Sequence, residues 1–124
     1  MKNVKVDELT IEGVVYVPKD SQPKLAVSCD GLPYVMIRTY SAGVHCGYME
    51  KKEGKEVTLL DSIRIWKWDG AASLSQLSQE GTNKPSGCKF GMPIHKIELT
   101  EAIEVIYMTD TAKSSILNVA PWKQ

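Results

Sequence analysis

The two arginines of this chain are the residues whose type and position best suit the binding of an anion. All other basic side chains are lysines or histidines, whereas Arg38 and Arg64 each lie in a run of strand-forming residues that leads into a turn containing glycine or serine. A guanidinium group is planar and always charged, so it can donate two parallel hydrogen bonds to a phosphate. This placement predicts an anion site. The alternative is that each arginine pairs with a cross-strand carboxylate such as Glu50, Glu56 or Asp61.

The segment WDGAASL, residues 68–74, predicts a helix N-terminus that would contribute to the same site. Unpaired backbone N–H groups at a helix start attract anions. Gly70 and Ala71 leave this backbone sterically open, and Ser73 adds a hydroxyl group. Asp69 is the expected N-cap residue, however, and its carboxylate would occupy the place of a phosphate. Simple capping is therefore the alternative interpretation of this segment, which contains neither a P-loop nor a dinucleotide-binding motif.

Aromatic side chains near these turns are candidates for stacking on a nucleotide base. Trp66 and Trp68 share one face of a predicted strand, and we expect one of them in the core, with Trp68 at the strand end free to stack. Tyr40 and Phe90 flank loops in a similar way. The complete set of predicted ligand-binding residues is Arg38, Tyr40, Ser41, Arg64, Trp68, Gly70, Ala71, Ser73, Lys89 and Phe90.

Metal binding finds little support in the sequence. The three cysteines, Cys29, Cys46 and Cys88, are widely spaced, and together with His45 and His95 they match no zinc-binding pattern. An odd number of cysteines at such spacings is typical of reduced thiols rather than of a disulfide framework. We therefore expect no metal and no other cofactor.

Catalytic residues are equally hard to find. Neither histidine has a nucleophile or a carboxylate at a recognisable spacing, and no pair of carboxylates stands out for acid–base chemistry. We therefore expect no catalytic residues. The alternative is a phosphodiesterase-like cluster of Arg38, Ser41 and His45.

Length and charge limit the classes of protein to which the chain can belong. Its 124 residues suggest a single domain, within which residues 1–33 are expected to form a loosely ordered N-terminal segment. Fifteen basic residues balance 15 acidic ones, which argues against general nucleic-acid binding. No apolar run is long enough to span a membrane, and the N-terminus does not resemble a signal peptide, so we expect a cytoplasmic protein without membrane contact.

Periodicity predicts an α+β fold, a mostly antiparallel sheet with one or two short helices packed on it. Strand-forming runs occur at residues 14–17, 34–40, 45–52 and 57–68, with a hairpin turn at Gly54. Near Asp61 we expect either a bend or a change of strand. Alternating apolar and polar residues over 94–107 predict one long strand, kinked near residues 101–102.

The helices are predicted after residue 70 and after residue 109. Apolar residues at a spacing of three favour the first helix, which Gly81 would end. Thr109 or Asp110 is the expected cap of the second helix. The isolated Trp122 suggests that the C-terminal tail docks on the domain.

Three segments together resemble a family of small phage and prophage proteins catalogued as a domain of unknown function. They are YVMIRTYSAGVHCGY, RIWKWDGAASLSQLSQEGTNKPSGCKF and IELTEAIEVI, within a resemblance that runs from about Tyr34 to Trp122. The blocks WDGAASLSQL and GT-x-x-P-x-x-CKF are its most specific parts. The chain departs from the family's usual pattern at Lys67, where an aromatic residue is common, and at Met108, where a cysteine is common.

In size, β-rich layout and placement of arginines and aromatics, the chain is also similar to the Thoeris anti-defence proteins of phages. This resemblance implies a homo-oligomer, a dimer or larger, that binds a cyclic ADP-ribose isomer or a cyclic oligonucleotide without cleaving it. It implies ligand contacts at Arg38, Arg64, Trp68 and Phe90. Two alternatives are a phage protein that inhibits a host factor by direct protein–protein binding, and an enzyme that cleaves a cyclic nucleotide.

Overall fold

The fold is α+β, as the periodicity predicts. The computed structural model describes residues 9–11, 14–16, 25–26 and 30–124. Within these ranges the strands are β1 (Leu9–Ile11), β2 (Val14–Tyr16), β3 (Tyr34–Thr39), β4 (Val44–Glu53), β5 (Glu56–Lys67), β6 (Lys89–Phe90), β7 (Ile94–Leu99) and β8 (Ala102–Tyr107). The helices are α1 (Leu74–Glu80) and α2 (Asp110–Leu117). Most of residues 1–33, including Cys29, lies outside the described residues, so the loosely ordered N-terminal segment stays a prediction.

Strands β3 to β8 form a six-stranded antiparallel sheet in the order β6-β5-β4-β3-β8, with β7 paired to β5 beside β6. Strand β5 pairs with both β6 and β7 on the same edge. It bends at Asp61, a non-glycine residue with a positive φ of 50°. The register with β4 shifts at this point, between Cys46 and Tyr48. A side chain at Gly47 would come within 3.0 Å of the Leu60 carbonyl oxygen, so a larger residue would crowd the backbone at this bulge. Of the two alternatives expected near Asp61, a bend or a change of strand, the structure shows the bend within one strand.

Residues 94–107 form two strands rather than one kinked strand. The chain breaks at Thr100 and Glu101, close to the predicted kink, and the two halves then pair with different partners. β7 pairs with β5, whereas β8 pairs with β3 at the other side of the sheet. The expectation of a single strand was wrong because the alternation of apolar residues on each side of a break does not reveal which neighbour each half joins.

The sheet has a hydrophobic core on each of its faces. Along β3, Tyr34 and Met36 belong to a cluster that includes Leu77 of α1 and Ile116 of α2. The intervening residues, Val35 and Ile37, belong to a second cluster. β3 is therefore buried on both sides. The second cluster is completed by residues of β5, β7 and β8, namely Val57, Leu59, Leu99 and Ala102.

Helix α1 begins later than expected. Ser73, not Asp69, is its N-cap, and the Ser73 hydroxyl accepts a hydrogen bond from the Gln76 N–H at 3.2 Å. The Asp69 carboxylate instead accepts from the Gly70 N–H at 2.8 Å, and Gly70 has a φ of 82°, which turns the chain before the helix starts. The expected end of α1 at Gly81 is confirmed, since its N–H donates to the Leu77 carbonyl.

Helix α2 is capped by Thr109, one of the two expected cap residues. The Thr109 hydroxyl accepts from the Ala112 N–H at 3.0 Å and donates to the Gln79 carbonyl oxygen at 2.7 Å. Because Gln79 lies in α1, this one side chain also ties the two helices together.

Substitution of Leu77 by alanine should test the core beneath α1. Leu77 is fully buried, so Leu77→Ala should lower the free energy of unfolding by about 2–5 kcal/mol. Leu117→Ala is the matched control, because Leu117 on α2 is 47% exposed and its loss should cost less than about 1 kcal/mol. Urea unfolding of both variants measures the difference. Equal destabilisation would contradict the packing of α1 on this face.

Candidate functional site

The candidate site is a cleft beside the end of β5. Arg64 and Trp66 are two residues apart on this strand, so both side chains project from the same face. Trp122 of the C-terminal tail faces them. The cleft between these side chains has a volume of about 430 Å³, and we call it the tryptophan cleft. It is lined by Arg64, Trp66, Trp122 and residues 91–94.

The two tryptophans are held in place but remain accessible. Their ring centroids are 6.2 Å apart at an interplanar angle of 71°, an edge-to-face contact. The backbone N–H of Trp122 donates to the Phe90 carbonyl oxygen at 2.8 Å. This bond docks the tail on β6, as expected from the sequence. Trp66 nevertheless stays 57% exposed and Trp122 52% exposed. Ring surface is thus available to a ligand.

Two cations border these rings. The Arg64 guanidinium lies 5.0 Å from the centroid of Trp66, and the Lys89 ammonium lies 5.0 Å from that of Trp122. Neither forms an ion pair with a carboxylate in the described part of the chain. The cleft therefore combines positive charge with aromatic and aliphatic surface, a combination that suits an anion carrying a planar ring.

Arg38 is in a different situation. Its Nε donates to the Glu104 carboxylate at 2.9 Å on the neighbouring strand β8. This is the alternative of a cross-strand ion pair, although the partner is Glu104 and not Glu50, Glu56 or Asp61. Ser41 donates to the Glu101 carboxylate at 3.1 Å, and Tyr40 is 78% exposed in the same turn. These three predicted ligand residues thus lie beside two acidic side chains, which disfavours an anion there.

The register places the two arginines on opposite faces of the sheet. Arg64 is directly opposite His45, whereas Arg38 pairs with Val44, which in turn is opposite Ile65. Adjacent rows of a sheet project to opposite sides. Arg38 and Arg64 therefore do not converge within one chain. Nor does the structure gather Arg38 and Ser41 around the histidine that would complete a phosphodiesterase-like cluster.

The remaining predicted ligand residues serve the structure around α1. The Trp68 indole packs against the helix-side core and donates to the Ala71 carbonyl oxygen at 3.2 Å. The Ala72 N–H donates to the Gln76 side chain at 2.7 Å, and the Ser73 hydroxyl is taken by the cap. Phe90 is only 1% exposed and belongs to the core. Of the predicted set, Arg64 lines the cleft and Lys89 borders it.

His45 lies beneath the cleft side of the sheet and is fully buried. Its Nε2 is 2.9 Å from the Ala42 carbonyl oxygen, which can only accept, so Nε2 carries the proton. Burial lowers the pKa of His45 below its ordinary value, and the Arg64 charge acts in the same direction, while the bond to Ala42 opposes them. His45 is therefore neutral at pH 7.

The cysteines described by the structure are structural. Cys46 is buried in the core, and burial raises the pKa of its thiol. Cys88 is half-buried beneath the turn at Asp69, whose N–H lies 3.4 Å from the Cys88 sulfur. Both are free thiols. In the described ranges no cluster of three or more potential ligands could hold a metal ion. None of the helices there has the length and apolar character required to cross a membrane.

Comparison with protein families gives one match, over residues 32–116. The matching family is described as a domain of unknown function, DUF6948. The chain belongs to this family. The matched residues of this DUF6948 domain run from just before β3 into α2, so they include Arg64 and Trp66 but not Trp122. Comparison with curated proteins and with solved structures gives no match.

Sequence reasoning favoured Trp68 over Trp66 for stacking and left Trp122 out of the site. Period-2 alternation predicted that Trp66 and Trp68 share one face of the strand. β5 ends at Lys67, however, and Trp68 beyond it packs against the core beneath the helices. The useful signal was the pair of Arg64 and Trp66, because both residues lie within β5, whereas Trp68 lies beyond its end.

Alanine substitutions of these two tryptophans should have different effects on stability. Trp68→Ala should lower the free energy of unfolding by about 3 kcal/mol, because the indole packs against the core and its N–H is hydrogen-bonded. Trp66→Ala should cost about 1 kcal/mol or less, since most of its ring faces solvent. Denaturant unfolding compares them, and a larger loss for Trp66→Ala would reverse the assignment.

The burial of His45 should make stability depend on pH. In the unfolded chain the histidine is protonated below about pH 6.5, whereas folded His45 stays neutral to a lower pH. The free energy of unfolding should therefore fall as pH drops below 6.5. The slope should approach about 1.4 kcal/mol per pH unit. Unfolding between pH 7.5 and 5.5 measures it. His45→Gln should flatten the slope.

Proposed function

We propose that this protein binds and sequesters a small anionic nucleotide at the tryptophan cleft, without cleaving it. The observation that carries the proposal is the position of Arg64. Its guanidinium stacks on Trp66, and it forms no ion pair with any carboxylate among the described residues. An arginine that is half-buried without a carboxylate partner is suited to bind the charge of a ligand.

The surroundings of Arg64 favour a ligand with a planar ring. The exposed rings of Trp66 and Trp122 offer stacking surfaces, and base–aromatic stacking tolerates any base. The cleft volume of about 430 Å³ lies within the range typical of small-molecule sites. Lys89, stacked on Trp122, adds a second positive charge at the rim.

The narrower form of the proposal is a phage-encoded anti-defence protein that captures a cyclic nucleotide immune signal, such as a cyclic ADP-ribose isomer or a cyclic oligonucleotide. Capture alone requires charge-assisted hydrogen bonds, stacking and a preformed site, which the cleft provides. A homo-oligomer is part of this form. Met92 and Ile94, which line one side of the cleft, are 55% and 45% exposed, and a second copy placed there would bury the ligand further.

A second candidate function, inhibition of a host factor by direct contact, is favoured by strand β8. On its outer side β8 pairs with no other described strand, and Ile103 and Tyr107 are 49% and 46% exposed. An unpaired edge with apolar side chains is a common surface for strand addition by a partner. This function would not use the tryptophan cleft.

Arg64→Ala and Arg38→Ala form a matched pair that tests the proposal. The protein is titrated with cyclic ADP-ribose isomers and with cyclic di- and trinucleotides, and thermal shift and calorimetry report binding. Arg64→Ala should lose about 1.5–3 kcal/mol of binding free energy while keeping its melting temperature. Arg38→Ala should bind within about twofold of the unsubstituted protein, because Glu104 already neutralises Arg38.

Heat denaturation of the loaded protein separates binding from catalysis. Intact ligand should be recovered from the supernatant if the protein only sequesters it. A cleaved product would favour the enzyme alternative. An absence of any thermal shift across the whole panel would reject nucleotide capture and leave inhibition by β8 as the better candidate.

A further inference from the structure

Two lysines are directly opposite each other at the edge of the sheet, Lys67 on β5 and Lys89 on β6. Both are exposed, and neither forms an ion pair among the described residues. The carboxylate nearest to Lys67 in the sequence, that of Asp69, accepts a hydrogen bond from the Gly70 N–H. Like charges directly opposite each other on paired strands are destabilising. This edge of the sheet therefore carries a pair of cations that no described carboxylate balances.

The register of β5 and β6 places both lysines on the cleft side of the sheet. Ile65 is opposite Phe90, and both belong to the core beneath the helices. Lys89 directly precedes Phe90 and therefore projects to the other face. Lys67 shares that face, because it is the direct partner of Lys89. β5 thus has one extra residue, Trp66, over this stretch, which is the arrangement of a β-bulge.

The positions of the tryptophans agree with this placement of the lysines. The Lys89 ammonium lies 5.0 Å from the ring centroid of Trp122, which lines the tryptophan cleft. Trp66 lines the cleft as well, whereas Trp68, two residues later, packs against the core beneath the helices. One extra residue in the strand reverses the alternation, so Trp66 and Trp68 project to opposite faces.

We infer that Lys67 and Lys89 form a second anion subsite beside the tryptophan cleft, and that the ligand is a nucleotide with at least two phosphate groups. This inference rests on the proposed function and specifies its ligand class. A single phosphate bound by Arg64 leaves the two lysines opposed. A second phosphate held between them replaces their repulsion with charge-assisted hydrogen bonds. Because each ammonium group ends a flexible four-carbon side chain, both can reach one anion without a movement of the strands.

AMP and ADP test the subsite in the full-length protein, because they share one base and one ribose and differ by one phosphate. In calorimetry without divalent cations, ADP should bind about tenfold more tightly than AMP, the gain typical of one charge-assisted hydrogen bond. Lys67→Gln should reduce the ratio of the two affinities to about twofold or less. Lys96→Gln is the matched control and should keep the tenfold ratio, since Lys96 is already paired with Glu50 at 3.4 Å.

The opposed charges should also be detectable without a ligand. Lys67→Glu replaces a repulsion across the strands with an attraction, so it should raise the melting temperature by about 1–4 °C at low ionic strength. The increase should disappear in about 1 M salt, where exposed charges are screened. Lys96→Glu is the control and should give no increase, because it removes the ion pair with Glu50. Calorimetric melting of the three proteins measures the difference.

The outcomes separate this inference from the proposed function. Equal affinities for AMP and ADP would overturn the second subsite and leave nucleotide capture standing. A preference for ADP that Lys67→Gln leaves intact would mean that other residues bind the second phosphate, which also overturns the subsite. So would an unchanged or lowered melting temperature of the Lys67→Glu protein. A failure of both compounds to bind would overturn the inference, and loss of binding across the cyclic panel as well would reject nucleotide capture itself.

Discussion

The bend of β5 at Asp61 is the constraint on which the rest of the structure depends. A straight twelve-residue strand would present one continuous edge to one neighbour. With a positive φ at Asp61 and close backbone contact at Gly47, β5 instead presents its first half to β7 and its last residues to β6. The segment that connects β6 to β7 then runs alongside β5, where the Gly91 N–H donates to the Arg64 carbonyl oxygen at 2.8 Å. Residues 91–94 of that connection form one side of the tryptophan cleft.

The burial of β3 on both faces has a related effect. Because the helix-side cluster buries one face of β3 and the second cluster buries the other, the sheet has little free surface near its centre. Exposed apolar groups are found towards the edges and the tail. The exposed tryptophans at one edge and the exposed side chains of β8 at another are two such apolar surfaces among the described residues. Their separation is why the two proposed functions require different residues.

Much of the fold could be predicted from the sequence. Period-2 runs indicated β2 to β5, but not β1 or β6, and they merged β7 with β8. Gly54 indicated a turn, Gly81 a helix end and Thr109 a helix cap. The partners of the strands could not be predicted, because alternation specifies which face is buried and not which strand lies alongside. Asp69 was wrongly predicted as a helix cap for a similar reason. Its turn contacts Cys88, which is 19 positions away in the sequence, and local sequence patterns do not reveal such a contact.

The site was harder to predict for the same reason. Arg38 and Arg64 have similar local sequences, and only the pairing of β3 with β8 shows that one arginine meets Glu104 while the other does not. Two of the three tryptophans lie in the cleft and the third packs against the core. The protein therefore carries its own optical probe. Trp66 and Trp122 are exposed, so their emission would respond to a ligand bound in the cleft, whereas emission from Trp68 would respond to unfolding of the helix-side core.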